Sequence, residues 1–318
     1  MTGFVVTGAN GFIGRRLCQA LLGLGGRVIG VARHGQSACE GVHNWLSVGN
    51  DFDGLERIWP RRVRSDCVIH LAARVHVMRD EAADPLAAYR ATNVGGTVRV
   101  AEAARAAGAR RFVFVSSIKA AGETDGGSPL KETVTPVPVD PYGLSKLEAE
   151  RALITFGHST GMEIVIVRPP LVYGPGVRAN FLQLMTAIDR GIPLPLGSVD
   201  ARRSMIFLDN LVDALVRCAL HPSAAGETFH VSDGLDLTVA QWVRMLSLQL
   251  NVPARLISVP VLMLRIAGRL TGRSEAVERL VNDLRLDISH ISKVLGWRVP
   301  YSIEEGLLKT AMWYREAH

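Results

Sequence analysis

The chain is poor in the features that mark a disulfide scaffold, a membrane span or a nucleic-acid reader. Its 318 residues include four cysteines, Cys18, Cys39, Cys67 and Cys218, scattered with no C-x-x-C pair. Three of them fall on apolar faces of predicted elements, so they read as small buried hydrophobes in a reducing compartment, and no metal site is expected. Aromatic residues make up 6% of the chain, and no stacking array accompanies the dispersed arginine pairs Arg61-Arg62, Arg110-Arg111 and Arg202-Arg203. The net charge of +6 therefore points to an anionic small molecule rather than to nucleic acid. The longest apolar region, residues 256–270, is interrupted by Arg265 and Arg269 and is too short to cross a bilayer. Those arginines and Arg273 recur at i, i+4 and i+8, a rhythm compatible with a basic interfacial helix. A packed helix with a solvated face is the preferred expectation, without stable membrane insertion. Strand one is expected to begin at about Gly3, which leaves no place for a secretory leader and suggests the cytoplasm.

What is present suffices for one large α/β unit and a smaller lobe: 48% of residues are apolar and 21% charged. Apolar strands are predicted at 3–7, 27–32, 44–48, 67–72, 111–117 and 163–168, alternating with helices at 12–24, 52–59, 85–107 and 141–157. Pro85 and Gly108 bracket one helix, and Asp140-Pro141 forms an N-cap and first-turn pair for another. This alternation implies a doubly wound parallel sheet with ligand at the carboxyl ends of the strands. Prolines 169, 170, 175, 193 and 195 then break the rhythm. A strand at 205–207, a helix from Asp209 and a strand at 227–231 return to the sheet. Residues 1–168 plus about 203–232 are expected to form the Rossmann-type domain, and 169–202 plus 233–318 the smaller C-terminal substrate-binding lobe.

The first strand runs into Gly8-Ala9-Asn10-Gly11-Phe12-Ile13-Gly14, followed by Arg15. Glycines are needed where a Cβ would block a diphosphate or the helix–strand contact, and the helix N-terminus adds free N–H groups. The G-x-x-G-x-x-G spacing is one residue longer in its first gap than the general dinucleotide fingerprint. Alone it could be an ordinary glycine turn; between a strand and an amphipathic helix it reads as a dinucleotide cradle. The second strand ends in Ala32-Arg33-His34, where an acidic residue would hold the ribose of NAD. Arg15 and Arg33 could clamp a 2′-phosphate instead, which favours NADP(H) while leaving NAD(H) possible.

Tyr142 and Lys146 are i and i+4 on one helix, and Ser117 closes the strand before it. A free tyrosine titrates near ~10, too high for a base at neutral pH. An adjacent ammonium and an oxidised nicotinamide favour the phenolate, and Ser117 could steady a reacting oxygen. Without the glycine turn, a half-buried tyrosine beside a solvated lysine would be the better account. With it, the pair implies hydride transfer at a carbonyl or alcohol.

These residues resemble the extended short-chain dehydrogenase/reductase family, in its nucleotide-sugar epimerase, dehydratase and reductase branch. The resemblance rests on TGANGFIG (7–14), HLAA (70–73), NVGGT (93–97), VSS (115–117), YGLSK (142–146), RPPLVYGPG (168–176) and LGW (295–297). It implies a catalytic triad of Ser117, Tyr142 and Lys146, with Tyr142 and Lys146 also touching cofactor. Leu71, Ala72 and Ala73 should line the nicotinamide side, and Asn93 should support the lysine side of the proton network. Asn180 and Phe181 match a segment that meets the nucleotide diphosphate, and Arg203 a diphosphate-binding arginine. Lys119 could face the sugar or lie in solvated loop.

Two departures bear on the reaction. Sugar 4,6-dehydratases of the family carry an Asp-Glu pair where this chain has Ile118-Lys119, so dehydration lacks its acid and base. Typical 4-epimerases carry an acid at the end of strand two and an Arg-Arg-x-Gly-Asp segment, where this chain has Ala32 and Leu284-Arg285-Leu286. The resemblance therefore favours an NAD(P)H-dependent 4-reductase of a UDP-4-keto-6-deoxy-N-acetylhexosamine in bacterial surface-polysaccharide synthesis. A UDP-hexose or UDP-N-acetylhexosamine 4-epimerase with retained NAD is the alternative, and a non-catalytic dinucleotide-binding protein a remote one. The family's habit of pairing helices into a four-helix bundle implies a homodimer, with Ala101, Ala104 and Ala107 on a face that could pack there or on the sheet.

Overall fold

A computed structural model describes residues 2–33, 39–59, 66–75 and 84–317. His34, the Arg61-Arg62 pair and residues 76–78 lie outside the described residues. The strands are β1 (Gly3–Thr7), β2 (Arg27–Ala32), β3 (Asn44–Ser47), β4 (Cys67–His70), β5 (Arg111–Val115), β6 (Glu163–Arg168), β7 (Leu171–Tyr173), β8 (Arg202–Arg203), β9 (Met205–Phe207), β10 (Thr228–His230) and β11 (Leu237–Thr238). The helices are α1 (Phe12–Gly23), α2 (Leu55–Ile58), α3 (Pro85–Arg90), α4 (Thr97–Ala106), α5 (Pro141–Thr160), α6 (Ala179–Asp189), α7 (Leu208–Leu220), α8 (Val239–Leu250), α9 (Val261–Leu270), α10 (Ser274–Val281), α11 (Ser289–Leu295) and α12 (Ile303–Ala317).

Seven strands form one sheet in the order β10-β6-β5-β4-β1-β2-β3, with every pairing parallel. Strands β1, β4 and β5 are buried along their whole length, as a sheet covered on both faces requires. The order reverses between β1 and β4, which opens a crevice at their carboxyl ends. This is the Rossmann-type α/β fold. Two small pairings stand apart from the sheet, β7 with β9 and β8 with β11, so of the strands expected to return only β10 does, and the one at 205–207 pairs with β7 instead.

Local chemistry sets the helix ends. Asp84 accepts a bond from Ala87 N–H ahead of Pro85, and Asp140 accepts one from Gly143 N–H ahead of Pro141. The helix expected over 85–107 is not uniform: a wide π-type turn, Ala91–Gly96, separates α3 from α4. Ala101 and Ala104 are fully buried in the same core as Phe112 and Phe114. The alanine face thus packs on the sheet and is not available for a helix–helix dimer contact. All four cysteines are free and buried.

Helix α9 also differs from expectation. Its inner seam is a close approach to α10: a Cβ on Gly268 would come within 2.8 Å of the Val277 side chain. Its outer face is apolar rather than polar, with Leu262 69%, Met263 58%, Ile266 47% and Leu270 82% exposed.

Candidate active site

The glycine turn is shaped by contacts that side chains would forbid. Gly8 takes φ +68°, and a Cβ there would meet the Ala72 backbone nitrogen at 3.0 Å. A Cβ on Gly14 would overlap the Gly8 carbonyl oxygen and lie 2.8 Å from the Ala9 Cα. The turn is pinned to β2 by Gly8 N–H donating to the Val31 carbonyl at 2.9 Å. Helix α1 starts just after Gly11 with no side-chain cap, so its first N–H groups remain for an anion. This cradle fits the diphosphate of a dinucleotide. Phe12 and Ile13 are half-buried and pack on the core beside it. Arg15 and Arg33 are both exposed, Arg15 donating from Nε to the Asn10 carbonyl at 2.9 Å, and Arg33 just past β2.

A buried hydrogen-bond chain joins this turn to the other half of the site. Leu71 and Ala72 N–H groups donate to Thr7 Oγ1, each at 3.2 Å. Thr7 Oγ1 is 2.7 Å from His70 Nδ1, His70 Nε2 is 3.1 Å from Thr97 Oγ1, and Thr97 Oγ1 donates to the Asn93 carbonyl at 2.7 Å. Only one proton arrangement satisfies every bond. Thr97 spends its hydrogen on Asn93, so it accepts from His70 Nε2–H, and Nδ1 accepts from Thr7. Burial, and then the Lys146 charge, push His70 down to about 3, which keeps it neutral.

The side chain of Asn93 accepts from Arg74 N–H at 2.8 Å and donates to Ser145 Oγ at 2.9 Å. Ser145 Oγ in turn donates to the Tyr142 carbonyl at 2.8 Å. Asn93 therefore meets the residue before Lys146, not Lys146 itself. The π-type turn explains this reach, because the wider coil turns Asn93 toward α5.

Tyr142, Ser117 and Lys146 converge where β5 ends under α5. The Tyr142 phenol is hydrogen-bonded to Ser117, and its ring lies edge-on to Tyr89 with centroids 6.1 Å apart. Ser117 Oγ also accepts from Lys119 N–H at 3.2 Å. Burial, then the Asp140 charge, push the phenol up to about 12, against the lowering effect of the Ser117 bond. The lowering expected from Lys146 does not act on the phenol: desolvation dominates, and the phenol is held as an acid. Lys146 is 1% exposed and donates from Nζ to the Val115 carbonyl at 2.7 Å. Burial brings it down to about 7, with Glu150 one turn later pulling it up.

Glu150 is a site residue that sequence reasoning did not single out. It accepts from Ser116 Oγ at 2.5 Å and from Arg168 Nε at 2.9 Å, and Arg168 Nη2 reaches its second oxygen. Both ionic partners are buried. Its partners lie 34 and 18 residues away in sequence, too far for spacing to reveal.

The expected substrate residues divide. Lys119 is held by Glu123 at 2.6 Å and by Asp140, so its ammonium braces the start of α5 rather than projecting freely toward a sugar. Asn180 is exposed in the first turn of α6. The Phe181 ring is buried and stacks on Tyr173 with centroids 5.5 Å apart, so it can offer a ligand only its backbone. Arg203 is half-buried and donates from Nη1 to the Arg279 and Asn282 carbonyls at 2.8 and 3.2 Å.

Residues 4–232 match the NAD dependent epimerase/dehydratase family. A UDP-glucose 4-epimerase of Vibrio cholerae is 41% identical over 317 residues, covering 99% of this chain and 96% of that protein. A GDP-6-deoxy-D-mannose reductase of Pseudomonas aeruginosa is 26% identical over 312 residues, covering 95% and 93%. Among solved structures, the UDP-glucose 4-epimerase of Thermotoga maritima with UDP-glucose superposes with a TM-score of 0.80 at 25% identity, covering 99% of both chains. With the cradle and the tyrosine–lysine helix in one crevice, the chain belongs to the NAD dependent epimerase/dehydratase family, enzymes of the extended short-chain dehydrogenase/reductase class.

Proposed function

We propose that this chain is a UDP-sugar 4-oxidoreductase, and that its reaction is 4-epimerisation of a UDP-hexose or UDP-N-acetylhexosamine. The observation that carries the reading is the Ser117–Tyr142 hydrogen bond with Lys146 one turn along the same helix. The similarity to the Vibrio cholerae UDP-glucose 4-epimerase supports epimerisation over net reduction. A bound nicotinamide supplies the hydride carrier. Gly8, Asn10, Gly11, Phe12, Ile13 and Gly14 cradle its diphosphate, and the Leu71–Ala73 loop borders its ring. Ser117 holds the sugar O4, and Tyr142 takes or gives the O4 proton. Lys146 charges and discharges near neutrality beside it, so the proton has a local partner. Asn180, the Phe181 backbone and Arg203 hold the nucleotide diphosphate from the lobe formed by residues 169–202 and 233–318.

A second reading is favoured by Arg15 and Arg33. Two exposed guanidinium groups beside the strand-two end suit a 2′-phosphate, hence NADP(H) and a 4-reductase acting on a UDP-4-keto-6-deoxy-N-acetylhexosamine for surface polysaccharide. Either enzyme suits the cytoplasm, where four buried thiols stay reduced. A homodimer would use the outer faces of α4 and α5 around Val98, Ala152 and Phe156.

The test is to incubate purified protein with UDP-glucose and with UDP-N-acetylglucosamine, and separately with UDP-4-keto-6-deoxy-N-acetylglucosamine plus NADPH. Interconversion of the C4 epimers without net loss of reduced nicotinamide establishes the epimerase. Stoichiometric loss of NADPH absorbance with the keto sugar alone establishes the reductase. No turnover in either mixture overturns both.

A further inference from the structure

The outer face of α9 has no role in the site described above. Leu262, Ile266 and Leu270 advance by one turn each, and Met263 falls beside them, so the four share an arc of roughly 100°. On the inner side, the partly buried Leu264 packs against the core and the buried Gly268 closes the seam with α10. Exposed leucines scattered singly need no explanation, but a row of large side chains on one helix face does.

The border of this row is cationic. Residues 251–281 carry five arginines, no lysine and no aspartate, and only the two glutamates Glu275 and Glu278. Arg265 pairs with Glu278 at 3.0 Å and Arg279 with Glu275 at 3.8 Å. Among the described residues, Arg269 and Arg273 have no carboxylate within 4.0 Å. Arg269 flanks Leu262 on the helical wheel, feeling Glu278 only beyond ion-pair distance, and the exposed Arg273 follows in the turn into α10.

We propose that α9 is a peripheral membrane-docking helix that lies in the surface of a bilayer containing anionic phospholipid. The ten-residue helix is far too short to span, and no helix among the described residues is long and apolar enough to do so. Lying flat, it places Leu262, Met263, Ile266 and Leu270 at the acyl boundary while Arg269 and Arg273 reach lipid phosphates at headgroup level. A second copy of the chain is a poorer occupant. A twofold contact through this face would bring Arg269 and Arg273 of both copies together, like charge against like. The docking face belongs to the segment that Arg203 ties to the substrate side through the Arg279 and Asn282 carbonyls. The cleft would then open beside the membrane surface, not far from it in solution.

The experiment is co-sedimentation of the full chain with phosphatidylcholine vesicles, with and without phosphatidylglycerol, at low and high salt. The wild type should sediment with the anionic vesicles at low salt, remain soluble with pure phosphatidylcholine and be released by salt. Arg269→Gln/Arg273→Gln should weaken partitioning about fivefold per arginine, roughly 25-fold together. Leu262→Ser/Ile266→Ser/Leu270→Ser keeps every charge and should lose binding too, which separates docking from attraction by net charge. Circular dichroism and turnover in vesicle-free buffer should match wild type for both variants, since every substituted side chain is exposed. A wild type that stays in the supernatant with anionic vesicles overturns the proposal without recourse to any variant. So does equal binding by the serine variant. Sedimentation velocity that shows the serine variant dissolving a dimer, in a protein that ignores vesicles, would assign the face to a second copy.

Discussion

The ammonium of Lys146 lies 4.1 Å from the centre of the Phe114 ring and donates to the carbonyl of the next residue, Val115. One strand end therefore supplies both an aromatic face and a carbonyl to a single buried charge. That environment is still poorer than water, and burial brings the lysine down to about 7 from its ordinary 10.5. Between those two values the unfolded chain binds more protons at this group than the folded one, so stability rises with pH across that window. Lys146→Met should abolish most turnover and also flatten this rise. Thermal denaturation of both proteins from neutral pH upward checks it; an unchanged slope in the variant would show that another group is responsible.

The Tyr142–Ser117 bond assigns separate losses to two substitutions. Tyr142→Phe should leave dinucleotide affinity near wild type and lower kcat by roughly 10²–10⁴-fold, the usual weight of a positioned proton donor. Ser117→Ala keeps the phenol but removes its hydrogen-bond partner, and should also lower kcat while relieving one influence that holds the phenol's pKa down. Fluorescence titration with dinucleotide and steady-state kinetics separate binding from turnover. Wild-type kcat in the phenylalanine variant would remove Tyr142 from the reaction.

Glu150 and Arg168 form a buried ion pair one turn from Lys146, with 2.5 Å between Arg168 Nη2 and Glu150 Oε2. Removing one partner leaves the other charge uncompensated in the interior. Arg168→Met should therefore destabilise the protein by about 3–5 kcal/mol, whereas Arg168→Met with Glu150→Met should cost clearly less. Urea denaturation of the three variants measures the difference.

At the adenosine end, Arg33→Ala should weaken NADPH much more than NADH. Equal effects on the two cofactors, measured by titration, would remove the argument for a 2′-phosphate and leave NAD as the partner.

The sheet is legible because its strands are short and dominated by apolar, largely β-branched residues. Predicted and observed β1, β2 and β6 coincide in their bounds, and so does β9, although it pairs with β7 outside the sheet. The glycine turn and the Tyr142–Lys146 pair are local patterns, and the structure brings them into one crevice. What spacing could not supply were contacts between distant segments. Thr7, His70 and Thr97 meet across 63 and 27 residues, although each stands inside a segment that the family resemblance had already marked. The side chain of Phe181 escaped prediction for the opposite reason: a motif position does not say whether the ring or the backbone faces the ligand. The direction of the Tyr142 shift depended on desolvation, which sequence alone does not measure. In helix α9 the arginine rhythm marks a solvated side, but it does not show that Leu262, Met263, Ile266 and Leu270 are exposed as well.

The crowding at Gly14 reaches beyond the turn itself. With no room for even a methyl group against Gly8 and Ala9, the first helix has a single permitted depth over the sheet. An alanine there would lever the helix outward and, through Gly8, shift the Ala72 backbone that rests against it. One hydrogen atom thus acts as the spacer that keeps two remote loops in register.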